Sequence, residues 1–582
     1  MAAGAARGDR RPTMRAIIAG GGIGGLTSAL MLHARGIDCQ VYEQAPEIRE
    51  LGVGINTLPH AIRELKEVGL LDRLDAAGIR TRELIYMNRF GQEVWREPRG
   101  LDAGHDVPQF SIHRGALQAV IYRAVLERLG GSAVATSRRV GAFAHNDDGV
   151  TVRLFDRAGD TVATDRADVL IGADGIHSTV RATLFPDEGP PRWNGAMLWR
   201  GATEWPSFLT GRSMIIAGGM SAKAVVYPIA DAPPAGRRLT NWAIVAKIGR
   251  PGTPPPRRED WSRPGRSSEL LPHLGDLAIP HVDVAALIAS TQEFWEYPMC
   301  DRDPLPRWSH GRVTLLGDAA HPMYPVGSNG ASQAILDARS LADALAASAD
   351  PVQALERYER DRLPMTADVV RSNRTGGPEG IIDVVERLAP DGFDDVDSVL
   401  AYADREAIVR GYAKTAGFAV TSHPRPKENE RKMTETQPAG VTRADHGIDG
   451  ISWSILGQTY VPKHVSERLF SWHATLPAGT FVPPHTHPTQ DELVHVLDGE
   501  LVILLDDGEA AARPGDLVRL PMGQSHGIFN RSDATATCLF AVAPTRKLFD
   551  LFEAIHGLKE QTPEAVVALA AQHEVEFLPP DE

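Results

Sequence analysis

The pattern of apolar and polar positions predicts an α/β arrangement at the start of the chain. Residues 14–20 form a short apolar run that breaks into glycines, and a stretch with helical periodicity follows as far as residue 35. Residues 39–43 form a second short apolar run. Strand, tight turn, helix and strand in this order are typical of the first units of a doubly wound parallel sheet.

The pattern changes twice further along the chain. From about residue 193 to 248 apolar and polar residues alternate and aromatics are frequent, which predicts an antiparallel sheet in a second lobe. Residues 313–316 then predict a buried strand, and residues 332–347 and 354–375 predict helices. Together these elements predict an α/β domain with an antiparallel lobe.

The last third of the chain has an all-β pattern. Residues 421–440 are polar, rich in proline and aperiodic, which is typical of a linker. Short apolar runs separated by turns, such as residues 506–508, follow it and predict a small barrel. A final helix at about residues 546–557 is expected to pack outside this barrel.

Composition excludes several partners. The net charge of −14 over 582 residues disfavours nucleic acid and anionic membranes. The three cysteines, Cys39, Cys300 and Cys538, are far apart, which fits a reducing cytoplasm. Residues 1–13 contain no apolar core of a signal peptide and predict a disordered tail, and no apolar run is long enough to span a membrane.

A glycine-rich turn is the first candidate for chemistry. Gly20, Gly22 and Gly25 form a G-x-G-x-x-G pattern between the first strand and the first helix. Glycines there let backbone N–H groups approach a pyrophosphate, and Glu43 lies at the offset where a carboxylate holds a ribose hydroxyl. By itself this pattern indicates a dinucleotide, NAD or FAD.

Two stretches near the end of the chain supply metal ligands. Residues 479–499 read GTFVPPHTHPTQDELVHVLDG and residues 515–530 read GDLVRLPMGQSHGIFN. His485, His487, Glu492 and His526 form a ligand set that suits Fe, Mn, Ni, Cu or Zn. Alternate residues of a strand face one way, so the first two histidines are expected to point together into the barrel. The neighbouring His495 and Gln490 are either groups around the metal or ordinary strand residues.

Both halves resemble known families. The two metal-binding stretches resemble the two motifs of the cupins. Residues 168–181 (DVLIGADGIHSTVR) and 315–338 (LLGDAAHPMYPVGSNGASQAILDA) resemble single-component FAD-dependent aromatic hydroxylases, which include the p-hydroxybenzoate, salicylate and 3-hydroxybenzoate hydroxylases. The run from Tyr297 to Pro306 and the sequence from Gly327 to Gly330 are most similar to phenazine-modifying monooxygenases. This resemblance covers about residues 14–420.

The resemblance implies a fold class and a set of residues that bind the cofactor. The fold is a Rossmann-like FAD-binding α/β domain of the p-hydroxybenzoate hydroxylase type with an antiparallel substrate lobe, followed by an all-β cupin barrel. Asp318 could instead cap a helix, and Arg114 could be a surface ion pair. The residues that the resemblance assigns to FAD are Gly20, Gly22, Gly25, Glu43, Val53, Arg114, Asp174, Asp318, Gly327, Asn329 and Gly330.

The resemblance also implies the reaction. NADH or NADPH binds transiently and reduces FAD, and O₂ then reacts with the reduced flavin to deliver an electrophilic oxygen to an electron-rich aromatic or N-heteroaromatic ring. Tyr227, Tyr324 and Lys223 are the candidate substrate residues, the lysine for an anionic substrate. They could equally be core aromatics and a solvated charge. A flavin oxidase that inserts no oxygen is the alternative for the whole protein.

These inferences combine into a bifunctional oxygenase in which the cupin acts on the flavin product as a dioxygenase or isomerase. The alternative is a cupin that only binds a ligand or supports a homodimer. The expected boundaries are a tail at 1–13, the monooxygenase at 14–375 with its substrate lobe at about 185–300, a helical extension at 376–420, a linker at 421–445, the cupin at 446–545 and a helical tail at 546–582.

Overall fold

The computed structural model contains two compact units, residues 1–423 and 424–582, and each is described by itself. The predicted tail and almost all of the predicted linker lie outside the described residues. In the part of the chain that the structure describes, no helix has the length and apolar character needed to cross a membrane. The described residues are 14–49, 52–260, 262–275, 277–419, 440–443, 446–466, 468–505, 508–558, 561–573 and 575–577.

A parallel sheet forms the centre of the first unit. Ala16, Ile17 and Ile18 are fully buried because helices cover both faces of the sheet. Ala19 pairs with Gly172 on one side and with Tyr42 on the other, so the turns that follow these strands meet at one edge. Its strands are, in spatial order, Val313–Leu315, Val169–Gly172, Arg15–Ala19, Asp38–Tyr42 and Val134–Ala135.

A larger sheet forms the second lobe. Its pairings are antiparallel, as predicted, except that Ser213–Gly218 runs parallel to Glu83–Asn88. One edge of the lobe is therefore formed by residues 83–98, which precede the region predicted to form the lobe. Two parallel strands need a long connection between them, so the partner of Ser213–Gly218 lies far away in the chain. In order the strands are Phe294–Asp301, Arg192–Pro206, Arg237–Lys247, Ala222–Ala232, Ser213–Gly218, Glu83–Asn88 and Glu93–Pro98.

Two small sheets and several helices complete this unit. The predicted helices are present as Gly330–Ala347 and Pro351–Arg374, and Asp350 caps the second by accepting from Val352 N at 2.9 Å. The small sheets are Arg139–Asn146, Gly149–Phe155 and Thr161–Ala167, and Gly54–Thr57, Phe110–His113 and Gly78–Arg80. The other α-helices are Ile23–His33, Pro59–Glu67, Leu71–Asp75, Arg114–Leu129, Thr179–Leu184, Ser267–Leu270, Val284–Ala289, Gly380–Leu388, Val396–Val399 and Tyr402–Thr415.

The second unit is built from two facing sheets of short strands, which confirms the all-β prediction. Alternate side chains such as Trp472, Val494 and Phe540 fill the space between the sheets. One sheet contains Trp453–Ile455, Gln458–Val465, Phe470–Leu476, Ala536–Ala543, Asp491–Asp498 and Leu517–Leu520. The other contains Gly508–Ala512, Leu501–Leu505, His526–Phe529, Phe481–Thr486 and Glu576–Phe577.

The helix expected outside the barrel packs into its core instead. It spans Leu548–His556, and its ring Phe552 lies 5.0 Å from Trp472, centroid to centroid. Its apolar residues recur with helical spacing, and the inward-facing aromatics of the barrel are the surface that buries them. A helix at Pro563–Gln572 follows, and the short strand Glu576–Phe577 pairs with the strand that contains His485.

Candidate active site and candidate metal centre

A cavity of about 340 Å³ lies between the glycine-rich edge of the parallel sheet and one face of the seven-stranded sheet. The face of the seven-stranded sheet forms one wall of this cavity. Alternate residues of its strands line the cavity, because alternate side chains of a strand face the same way. These residues are Tyr297 and Met299, Leu198 and Arg200, Asn241, Ala243 and Val245, Val225 and Tyr227, and Met214.

The glycine turn at the edge of the parallel sheet has no room for a side chain at two of its positions, Gly20 and Gly25. Gly20 has φ +107°, and a Cβ atom there would lie 2.4 Å from the carbonyl oxygen of Ala173. A Cβ at Gly25 would lie 2.0 Å from the carbonyl oxygen of Gly20. Gly22 lines the cavity and precedes the helix Ile23–His33 without a side-chain cap. The first N–H groups of this helix therefore face the cavity without a capping side chain, as an anion-binding turn requires.

Glu43 braces this turn from the end of the next strand. One carboxylate oxygen accepts from Gly21 N at 2.7 Å and the other from Ala45 N at 2.7 Å. A carboxylate offers about four acceptor positions, so both oxygens can still accept hydrogen bonds from ribose hydroxyls.

The Asp174 segment lies beside the glycine turn. The Asp174 carboxylate accepts from the hydroxyl of Ser178 and from Thr179 N at 2.7 Å, so it holds its own loop, while the adjacent Ala173 and Gly175 line the cavity. Burial raises the pKa of Asp174, and these hydrogen bonds oppose that rise.

Arg181 ties this loop to the segment that carries Asp318. The arginine is 1% exposed, and its Nη1 donates to the carbonyl oxygens of Ala319 at 3.0 Å and Ala320 at 2.8 Å. Its Nε donates to Glu188 at 2.8 Å, which neutralises the buried charge. Arg181 thereby links two loops of the cavity.

Asp318 and Arg114 both line the cavity. Enclosure by the cavity walls raises the pKa of Asp318, and the nearby His321 and Arg114 oppose this rise. Burial lowers the pKa of Arg114, and Asp318 opposes that shift. The two groups are therefore a complementary pair in the cavity.

The loop before Asp318 is anchored through Asp337. This buried carboxylate accepts from Gly317 N at 3.1 Å, from His321 Nε2 at 2.5 Å and from Arg362 Nε at 2.7 Å. Burial alone would raise the pKa of Asp337, but its contacts with His321 and Arg362 lower it to about 2. His321 thus contacts an anchoring carboxylate, which gives it a structural role beside the cavity.

The Gly327–Gly330 segment closes the cavity at the start of the helix Gly330–Ala347. Gly327 has φ +65°, and a Cβ atom there would lie 2.3 Å from the Tyr412 hydroxyl. Asn329 is fully buried and donates to Tyr412 Oη at 2.8 Å. Val53 is 1% exposed, and its carbonyl oxygen accepts from Arg114 N at 2.8 Å.

The three predicted substrate residues have different positions. Tyr227 lines the cavity, but Tyr324 and Lys223 are not part of its lining. The Lys223 ammonium donates to Asp383 at 2.5 Å, and the Tyr324 ring packs beside Tyr297. Lys223 lies on the same strand face as Tyr227, but the strand carries it to the rim of the sheet, where an acidic helix residue neutralises it.

Two charged residues that sequence reasoning missed line the cavity. Arg200 is 8% exposed, and burial lowers its pKa to about 9, with the charge of Arg114 adding to the effect. Its signal was a charged residue at an inward position of an otherwise apolar strand, Leu198 to Gly201. Glu379 directly follows the Gly376–Pro378 helix stop, and nothing in the local pattern distinguishes it from a surface acid.

The four predicted metal ligands converge in the barrel. His485, His487, Glu492 and His526 are all buried, and one ligand atom from each lies within 4.8 Å of the others. His526 Nε2 lies 2.8 Å and His487 Nε2 lies 3.7 Å from Glu492 Oε2. Burial would raise the pKa of Glu492, but the imidazoles lower it to about 2, so the set contains an anion.

Neighbouring groups hold the outer nitrogens of the histidines and thereby turn the inner nitrogens toward one another. Nδ1 of His485 lies 2.8 Å from the carbonyl oxygen of Pro483, and Nδ1 of His526 lies 3.0 Å from that of Gln524. Nδ1 of His487 lies 3.2 Å from Gln490 Oε1, and Gln490 is oriented by donating to two backbone carbonyls. Each Nδ1 therefore carries the proton and each Nε2 faces the centre of the set. There His526 Nε2 contacts Glu492, and a bound metal would take the place of that contact.

The distance between two of these inner nitrogens fits a shared metal ion. His485 Nε2 and His487 Nε2 are 3.1 Å apart. Burial lowers the pKa of both rings, to about 3 for His485, which favours the neutral forms whose lone pairs face each other. A cation between them removes this repulsion, and the donor set of three imidazoles and one carboxylate suits a divalent transition metal.

The space beside these ligands is small and apolar. A cavity of about 50 Å³ is lined by Trp472, Ile528 and Phe540 of the barrel and by residues of the C-terminal segment. These are Leu548, Leu551, Phe552, Ile555, Val566, Val575 and Phe577.

Comparison with known families identifies both units. Residues 13–373 match the model of the FAD binding domain, and residues 472–542 match the model of the cupin domain. The chain belongs to the family of FAD-dependent aromatic hydroxylases and carries a C-terminal cupin domain.

Individual relatives are similar to a large part of the chain. The chain is 48% identical to phenazine 1,6-dicarboxylic acid hydroxylase of Lysobacter antibioticus over 363 residues, which is 62% of this chain and 88% of the relative. It is 33% identical to 3-amino-4-hydroxybenzoate 2-monooxygenase of Streptomyces cremeus, covering 71% of this chain and 99% of the relative. The structure of Klebsiella pneumoniae HpxO complexed with FAD and uric acid matches with a TM-score of 0.55 at 26% identity, covering 70% of this chain and 98% of that chain.

Proposed function

We propose that the first unit is an NAD(P)H- and FAD-dependent monooxygenase that uses O₂ to hydroxylate an electron-rich aromatic or N-heteroaromatic molecule. The observation that carries this proposal is the single cavity, which has the glycine turn and Asp318 on one side and the Arg200 and Tyr227 wall on the other. One cavity can thus hold the flavin ring and a flat substrate side by side. When both are bound, they would displace water from the space between these two walls.

The residues around the cavity fit FAD. Gly20, Gly22 and Gly25 leave backbone space for the pyrophosphate, and Glu43 retains acceptor positions for the ribose. Arg114 and Asp318 offer charged partners for the flavin chain, and the backbone of residues 327–330 lies where it could contact the flavin ring edge. When bound, FAD would supply the activation of oxygen, while these side chains orient and enclose it.

The substrate is proposed to carry a carboxylate. Arg200 is a buried cation on the wall opposite the glycine turn, and a buried cation favours an anionic partner. Relatives of the chain are named for acting on a phenazine dicarboxylic acid and on hydroxybenzoates, which are carboxylated aromatic acids. Arg200 therefore takes the role that the sequence had suggested for Lys223.

Replacing Arg200 with glutamine tests this assignment. Hydrogen bonds to charged groups contribute about 1.5–3 kcal/mol, so KM for a carboxylated phenol or phenazine should rise about ten- to a hundredfold. Wild type and R200Q are compared by NAD(P)H oxidation, with mass spectrometry for the gain of one oxygen. The same ring without its carboxylate is the matched control, and its KM should not change.

Two outcomes count against this assignment. Equal KM changes for both rings would show that Arg200 does not recognise the carboxylate. Peroxide formation without any oxygenated product from every aromatic tested would show a flavin oxidase instead of a monooxygenase.

For the second unit, we infer that a metal-dependent cupin acts on the hydroxylated product as a dioxygenase or isomerase. The support is the complete, buried ligand set with oriented imidazoles. The cavity of about 50 Å³ is too small for an aromatic ring, since a protein cavity of about 150 Å³ is known to bind benzene. Access for such a product therefore requires the C-terminal segment to move.

Changing His485 and His487 together to alanine separates catalysis from binding. If the cupin is catalytic, the oxygenated product of the flavin site should accumulate in the variant and be consumed in wild type, because the flavin unit keeps all of its own residues. Product analysis by mass spectrometry over one reaction course measures this. Identical product profiles for both proteins would leave the cupin as a binding module or a support for a dimer.

A further inference from the structure

Glu379 places an acid in the wall of the hydroxylase cavity. It immediately precedes the helix Gly380–Leu388, and its Oε1 lies 3.5 Å from the amide nitrogen of Gly327. Ile381 and Ile382 of this helix belong to the same apolar cluster as Tyr227 and Met214. This packing fixes Glu379 beside the wall where Tyr227 and Met214 face the cavity.

Few charges act on this carboxylate. Enclosure raises the pKa of Glu379 to about 7, the Lys223 ammonium opposes the rise, and Asp383 adds to it. The phenols of Tyr86, on the Glu83–Asn88 strand, and Tyr412, on the Tyr402–Thr415 helix, are further titratable groups that interact with it. The carboxylate is thus near its midpoint at neutral pH, where an acid–base group is most effective.

We propose that Glu379 is the acid–base residue of the hydroxylase and that it takes the proton from the phenolic hydroxyl of the bound substrate. The proposal rests on the proposed monooxygenase function. The O–H bond of the phenol breaks, its electron pair stays on oxygen, and the proton bonds to a Glu379 oxygen, so a phenol and a carboxylate become a phenolate and a carboxylic acid. A phenolate is more electron-rich than the phenol and is a better target for an electrophilic oxygen.

The surroundings give this proton a way out. Lys223 and Asp383 form an ion pair at 2.5 Å beside Glu379, and their side chains retain 15% and 23% exposure. This partly exposed pair therefore marks the side on which the enclosed carboxylate is nearest to solvent, where the proton can leave after each turnover. The Lys223–Asp383 ion pair, which keeps the lysine away from the substrate, would therefore have a role in proton release.

The test compares E379Q, E379D and wild type as FAD-loaded enzymes with two phenols of similar size. One phenol is un-ionised at neutral pH, and the other carries fluorine substituents that keep it ionised. For the un-ionised phenol, kcat/KM of wild type should rise with pH through about 7, because the base works only when deprotonated. In E379Q this rise of kcat/KM with pH should disappear, and the rate of hydroxylation should fall about a hundredfold or more. E379D should restore part of the rate.

Two further readouts separate proton transfer from a structural effect. The rate of flavin reduction by NAD(P)H should be the same in E379Q and wild type, and E379Q should hydroxylate the ionised phenol at the wild-type rate. E386Q is the matched control on the same helix, because Glu386 instead accepts from Met220 N at 2.5 Å. It should keep the wild-type pH profile.

The outcomes distinguish this proposal from the proposed function. Retention of this rise with pH and of the rate by E379Q would overturn the role of Glu379 while leaving the monooxygenase intact. Equal losses of E379Q with both phenols would also overturn it. A wild type that hydroxylates neither phenol would overturn the proposed function and the role of Glu379 together.

Discussion

Replacing Asp318 with alanine is expected to lower the affinity of the protein for FAD by about a hundredfold or more. The carboxylate lines the cavity, where its proposed partners are the hydroxyls of the flavin chain. Each hydrogen bond to a charged group contributes about 1.5–3 kcal/mol, and about 1.4 kcal/mol corresponds to a tenfold change in affinity. The loss of two such bonds gives the expected factor. The variant also leaves the enclosed Arg114 without its complementary charge.

Titration of the flavin-free proteins with FAD, followed by flavin fluorescence, measures this effect. D318N is the matched variant because it keeps the shape of the side chain and removes only its charge. It should lose a smaller part of the affinity, since an amide still bonds to hydroxyls. Full flavin occupancy of D318A after extensive dialysis would show that Asp318 does not hold the cofactor.

Replacing Glu492 with glutamine, or His487 with alanine, is expected to bring the metal content of the cupin far below one ion per chain. Glu492 is the only anionic ligand of the four, and burial prevents water from replacing a missing donor at low cost. Even the loss of a group that only orients a ligand typically costs ten- to a hundredfold in metal affinity, so the loss of a ligand should cost more. FAD content and NAD(P)H oxidation should persist.

Elemental analysis after growth with added Fe, Mn, Ni or Zn provides the measurement. H495A is the matched control because His495 lies on the same strand as Glu492 but faces outward and is exposed. It should keep the metal. If the wild-type protein contained no metal under any of the four conditions, the proposal that the cupin is a metal-dependent enzyme would be wrong.

The sequence predicts those parts of the sites that depend on local geometry. The glycine turn needs Gly20 and Gly25 because neighbouring backbone would clash with any Cβ, and this constraint appears as a fixed spacing. His485 and His487 converge because two residues on one strand face the same way. Both signals lie within a few residues of one another in the chain.

The residues that sequence reasoning misplaced depend on contacts between distant segments. Lys223 faces the same side of its strand as Tyr227, but Asp383, 160 residues later, forms an ion pair with it. Glu379 enters the cavity because its helix packs on the sheet through Ile381 and Ile382, which no local pattern indicates. The helix Leu548–His556 is amphipathic whether it packs outside a barrel or inside it, so only the tertiary structure decides.

The buried Arg181 has a consequence for how the flavin is acquired. The arginine joins the Asp174 loop to the carbonyl groups beside Asp318 through bonds made entirely within the protein. These bonds hold two loops of the cofactor pocket together and do not involve the cofactor. The flavin-free protein should therefore stay folded and bind flavin again when it is added. Synthetic flavins could then replace FAD and change the redox potential at the site without any change to the protein.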